Sequence, residues 1–140
     1  MKPLMAKSNK AKDYYTFYDK HIIDALLKLK FPIIGLHSKS FILRKEARNE
    51  SGIEHIARKK HRLKVRDIES VPSILKHPQY MCDDPDNRVY KNYYGIRKGE
   101  KQNSFIKIVT SPQKNNKSTE EIVTIYPTNE IKVEKANKKR

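Results

Sequence analysis

The sequence predicts an α+β domain, with N-terminal helices packed on a small antiparallel β-sheet of three to four strands. Three observations predict it. Early in the chain, Tyr15, Tyr18, Ile22, Ala25, Leu26 and Leu29 recur at helical spacing. Beyond about residue 88 the segments around Tyr93, Ile106 and Val123 are short and rich in β-branched and aromatic residues. The two patterns do not alternate; helices come first and strands last, which argues against a doubly wound sheet.

The first helix is expected from Asp13, a residue type suited to an N-cap, with Lys28 and Lys30 at its C-terminal end and Pro32 closing it. Its aromatic run resembles a base-stacking platform, but helical spacing favours core packing. Ile33 to Leu36 is a short apolar run that suits a brief strand. Phe41 to Leu43 either opens a helix or adds a strand. Ser51-Gly52-Ile53-Glu54 has the form of a capping box, and the helix it starts is expected to run to about His61. A short helix follows Asp67, with Pro72 in its first turn, Pro78 at its end, and Ile68, Val71, Ile74 and Leu75 facing inward. Residues 79–87 are expected to form a loop. Asp83-Asp84-Pro85-Asp86-Asn87 lacks the Gly and Glu of a calcium loop and suits a turn. Three strands follow within 88–97, 105–109 and 122–126, joined by loop-like segments 98–103 and 111–119 as an antiparallel meander.

A chain of 140 residues fits one domain. Expected are a flexible basic arm at 1–12, the domain at 13–131 and a basic tail at 132–140. Lys and Arg number 31 against 16 Asp and Glu, a net charge of +15. A polyanionic partner follows, nucleic acid before membrane. Cys82 is the single cysteine, which excludes an intrachain disulfide and suits a reducing, cytoplasmic setting. No apolar run follows the N-terminal lysines, so no signal peptide is expected. No stretch approaches the ~20 apolar residues of a membrane span.

The charge is uneven. Lys39 to Arg66 carries a surplus of +7, and within it lies His55-Ile56-Ala57-Arg58-Lys59-Lys60-His61-Arg62. On a continuous helix His55, Arg58, Lys59 and Arg62 share one side, and His61 lies about 120° from His55. Two imidazoles beside a guanidinium suit RNA cleavage through the 2′-hydroxyl. That reaction needs a base, an acid and positive charge on the phosphorane, and histidine, Arg and Lys supply all three. No metal or other cofactor is required, and the histidine spacing is poor for a metal on a helix. A simpler alternative is a solvated basic face that contacts phosphate without catalysis.

The segment from Gly52 to His61 resembles the His-Ile-x-basic-basic-His helix of phage-associated nucleases of the barnase–EndoU–colicin–RelE group. Ile122-Val123-Thr124-Ile125-Tyr126-Pro127 is similar to the last strand of those domains. The likeness spans about residues 33–131. It implies a metal-independent endoribonuclease that often cuts tRNA, often a toxin of phages or mobile elements, with an acidic immunity or antitoxin partner. Carried over by position, His55 leads catalysis with Arg58 or His61 assisting. Thr124 and Tyr126 hold the scissile phosphate and Lys107 supplies a strand cation. The basic run here is longer by one residue than usual, which bears on the role of His61. Lys59, Lys60, Arg62, Lys64 and Arg66 are expected to bind RNA. The competing function is a non-catalytic nucleic-acid-binding protein of a phage or mobile element.

Overall fold

A computed structural model of the chain describes residues 15–44, 52–100 and 104–129. The expected arm at 1–12, the tail at 132–140, Asp13 and Ser51 of the capping box lie outside the described residues.

Helix α1, Lys20–Lys28, is capped by Asp19, whose carboxylate accepts from the backbone N–H of His21 at 2.9 Å and of Ile22 at 3.4 Å. The expected single helix is interrupted ahead of this cap. Tyr18 leaves the helical turn at 15–17 and bridges Arg58, while the Asp19 N–H donates to the Ala57 carbonyl at 2.8 Å. Ile22, Ala25 and Leu26 form the buried face, as their spacing predicts.

Strands β1 (Ile33–Ile34) and β2 (Ser40–Leu43) follow, then α2 (Gly52–Ile56), a 3₁₀ turn at Lys59–His61, α3 (Val65–Glu69) and α4 (Val71–Lys76). The single helix expected after Asp67 is two, with Asp67 and Ile68 inside α3 and Pro72 in the first turn of α4. Ile68, Val71, Ile74 and Leu75 are all buried, as expected. Four strands complete the fold: β3 (Tyr80–Asp83), β4 (Lys91–Ile96), β5 (Ser104–Gln113) and β6 (Asn116–Asn129).

These strands correct the expected architecture. Among the described residues the chain forms one six-stranded sheet in the order β1-β2-β6-β5-β4-β3, with few and short helices. It is not a sheet of three to four strands covered by N-terminal helices. β1 and β2 precede three of the helices, and β2 joins β6 in parallel, pairing Ser40–Leu43 with Thr119–Ile122. The remaining pairs are antiparallel. Residues 79–87, expected as loop, contribute β3 at the sheet edge. Residues 111–119 mostly extend β5 and β6 around a tight turn at Lys114 and Asn115.

One face of the sheet meets the helices. Phe41, Tyr93, Ile106, Ile108, Ile122 and Ile125 pack against Ile22, Leu26, Ile56, Ile68 and Leu75. Burying each such side chain stabilises by roughly 1.5–3 kcal/mol. A bulge shapes this face. Val109 pairs with Thr124 but Thr110 pairs with Ile122, so Val123 is extra, and Ile122 and Ile125 reach the same core. Glu120 is buried here and satisfied, accepting from Lys39 at 2.8 Å, Thr110 at 2.5 Å and the Tyr93 hydroxyl at 3.1 Å. Gly95 lets α4 come down onto β4, because a methyl at that position would collide with Ile74. The opposite face carries Cys82, Tyr94 and Phe105 as a small buried cluster.

Candidate active site

The register of β4, β5 and β6 sets Tyr94, Lys107 and Tyr126 side by side in one row on the face away from the helical core. Asn92, Val109 and Thr124 form the next row. The Lys107 ammonium lies 5.3 Å from the centre of the Tyr126 ring and 5.8 Å from that of Tyr94, within cation–π range. Asp84 stands 3.9 Å away and accepts from Asn92 Nδ2 at 3.0 Å. Burial pushes the Lys107 pKa down, but the Tyr126 hydroxyl and the fields of Tyr126, Tyr94 and Asp84 outweigh it. The net shift is upward, and the group stays charged. The neighbouring Tyr94 hydroxyl is held above its ordinary range, chiefly by burial.

His61, on the 3₁₀ turn after α2, arrives beside this row, with His55 of α2 behind it. β2 covers only the first half of β6, and α2 packs against that strand as well. Ile56 is fully buried and fixes α2 to the core. The expected helix from residue 51 to His61 is corrected here. Helical geometry stops at Ala57, Arg58 takes ψ of 131°, and the chain re-enters as the 3₁₀ turn. The break follows from the contacts of Ala57 and Arg58 with Asp19 and Tyr18, which outcompete continued helical bonding. On a straight helix the two imidazoles diverge. Through the break their centroids are 5.0 Å apart, and the His61 ring lies 6.3 Å from that of Tyr126.

His61 has a defined tautomer. Its Nδ1 lies 3.2 Å from the Ile56 carbonyl oxygen, which only accepts, so Nδ1 carries the hydrogen and Nε2 the lone pair. Its pKa is lowered, first by burial and then by the charges of Lys60 and Arg58, against the opposing effect of the Ile56 carbonyl.

A second charged network holds the turn. Arg62, directly after His61, adopts the left-handed conformation at φ 56°, which costs a non-glycine residue about 1–2 kcal/mol. Arg97 donates from its guanidinium to the Arg62 carbonyl at 2.9 Å and to both oxygens of buried Asp67. Asp67 in turn accepts from the Lys64 N–H at 2.7 Å and starts α3.

The sequence-predicted residues therefore fall into groups. His55, His61, Tyr126 and Lys107 follow one another as successive neighbours, and Thr124 lies in the row adjoining Tyr126 on the same face. Arg58 is engaged with Tyr18 and acts on His61 through its field. Lys59, Lys60 and Arg62 are exposed beside the histidines. Lys64 and Arg66 are exposed but tied to Glu100, at 2.6 Å and 3.1 Å. Sequence reasoning missed Thr128, Asn92, Asp84, Tyr94 and Arg97. Thr128 was legible, since Thr124, Tyr126 and Thr128 alternate along β6. The Thr124 and Thr128 hydroxyls and the Asn92 carbonyl oxygen are buried with no hydrogen-bond partner among the described residues. Such groups are rare and need an explanation.

The chain matches no protein-family model, no curated protein and no solved structure. Among the described residues, no helix is long and apolar enough to cross a membrane, and no three metal-ligating side chains gather.

Proposed function

We propose that the chain is a metal-independent endoribonuclease acting by 2′-hydroxyl transesterification. One observation carries the proposal: His55 stands against His61, His61 near Tyr126, and Tyr126 beside Lys107, although the four come from α2, the 3₁₀ turn, β5 and β6. His61 Nε2 takes the proton of the 2′-hydroxyl. The 2′-oxygen then bonds to phosphorus and the bond from phosphorus to the 5′-oxygen breaks. His55 gives a proton to that leaving oxygen. Lys107 balances the charge of the phosphorane. The Tyr126 hydroxyl donates to a phosphate oxygen, with Thr124 in the adjoining row of the same face.

The likeness of residues 52–61 and 122–127 to nucleases of the barnase–EndoU–colicin–RelE group supports the same proposal. It extends it to a cytoplasmic, toxin-like role of phage or mobile-element origin, with tRNA as substrate and an acidic immunity or antitoxin protein as partner. Incubation with tRNA in EDTA tests it. Cleavage persists in the chelator, is lost in His55→Ala and falls to a small residual rate in His61→Ala. A protein that binds RNA with steep salt dependence but never shortens it is the non-catalytic nucleic-acid-binding alternative.

A further inference from the structure

The aromatic run near the N-terminus is only partly core. Phe17 is 66% exposed, although Ile22 and Leu26 a few residues on are almost fully buried. The break at Tyr18 turns Phe17 away from the face that α1 buries. Thr16, Phe17 and Tyr18 line a cavity of about 560 Å³ together with Arg58, Lys59 and Lys60. Its size falls in the roughly 300–1,000 Å³ range of small-ligand sites. Its lining combines an exposed aromatic ring with three cations. The Tyr18–Arg58 bridge and the 2.8 Å bond from the Asp19 N–H to the Ala57 carbonyl hold the two walls together. Lys60 of the cationic wall directly precedes His61 in the 3₁₀ turn, and the pKa of His61 responds to both Arg58 and Lys60.

We infer that this cavity is a nucleotide subsite next to the histidine pair. It takes one unstacked base of a single-stranded RNA on Phe17, and the adjoining phosphate on Lys59 and Lys60. The site rests on the ribonuclease proposal for its adjacency to a scissile bond, but not for its ability to bind. Every base has a face to stack, so the contact selects unpaired nucleotides rather than a sequence. Enzymes of this chemistry need the substrate strand splayed, because the 2′-oxygen must line up with the leaving oxygen. A base anchored one step away supplies that alignment. An acidic protein surface would use the three cations but has no use for the ring.

Fluorescence anisotropy with a 2′-O-methyl RNA decamer measures binding without cleavage. Phe17→Ala is expected to weaken binding about five- to a hundredfold and leave the salt slope unchanged. Phe17→Trp restores affinity. Lys59→Ala lowers the salt slope by about one. A decamer made abasic throughout loses as much on the wild type as Phe17→Ala loses on the intact decamer. Unchanged affinity in Phe17→Ala, or full affinity for the abasic decamer, overturns the subsite. If natural RNA stays intact while Phe17→Ala still weakens the decamer, the ribonuclease proposal fails and the subsite stands. If RNA is cut equally well by Phe17→Ala and wild type, the subsite fails alone.

Discussion

The imidazole of His61 stands edge-on to that of His55, with centroids 5.0 Å apart and planes at 76°. The Ile56 carbonyl fixes its tautomer and burial lowers its pKa, so at neutral pH its Nε2 is an unprotonated base. A base works only when deprotonated. The rate constant kcat/KM is therefore expected to fall as pH drops through a value below the ordinary 6.5 of histidine. Folding follows the same sign. The unfolded chain binds the extra proton below 6.5, so stability rises with pH through that window. A pH–rate profile with this limb absent in His61→Ala checks the assignment; a limb retained in that variant assigns it to another group.

Lys107 sits between Tyr94 and Tyr126 and stays charged. Lys107→Met is expected to lower kcat by about 10²–10³-fold, as loss of one preorganised charge contact does in other enzymes. KM should change far less. Single-turnover kinetics separate the two, and a loss confined to KM would make Lys107 a binding residue.

Arg97 joins Asp67, which is 2% exposed, to the Arg62 carbonyl beside His61. Arg97→Ala leaves a buried carboxylate without its partner. Denaturant titration should show a loss of about 3–5 kcal/mol. Because the left-handed turn at Arg62 loses its anchor, activity should fall even at temperatures where the variant is fully folded.

Gly95 faces Ile74 at the closest approach of α4 to the sheet. Gly95→Ala is expected to cost about 1–3 kcal/mol through overpacking. Ile74→Ala opens a cavity by itself, yet in the Gly95→Ala background it should recover part of the loss. A double-mutant cycle on denaturation midpoints reads this coupling, and additive losses would refute the contact.

Much of the fold was legible where one element buries one face. Ile68, Val71, Ile74 and Leu75 repeat at helical spacing, and all four are buried. The cores of β5 and β6 were equally plain. β3 was not, because Tyr80-Met81-Cys82-Asp83 is an edge strand with Tyr80 and Met81 exposed and only one pairing partner. The ends of β5 and β6 carry Ser, Pro, Lys and Asn, loop-like residues that their ladder overrides. The parallel pairing of β2 with β6 joins residues 79 positions apart, beyond any local pattern. The candidate site divides in the same way. Residue types singled out His55, His61, Lys107 and Tyr126, and strand alternation set Thr124 beside Tyr126. The helix break that joins the histidines depends on Tyr18 and Asp19, far along the chain from His61. No run of residues 55–61 reveals it.

End-group analysis of RNA fragments tests the central claim most directly. An RNA oligonucleotide is incubated with the full chain in EDTA and its fragments are weighed by mass spectrometry. Attack by the 2′-hydroxyl predicts a 2′,3′-cyclic phosphate on one fragment and a 5′-hydroxyl on the other, with no cut where a 2′-deoxy residue replaces the attacking nucleotide. Intact RNA, or fragments bearing 5′-phosphates, would contradict it.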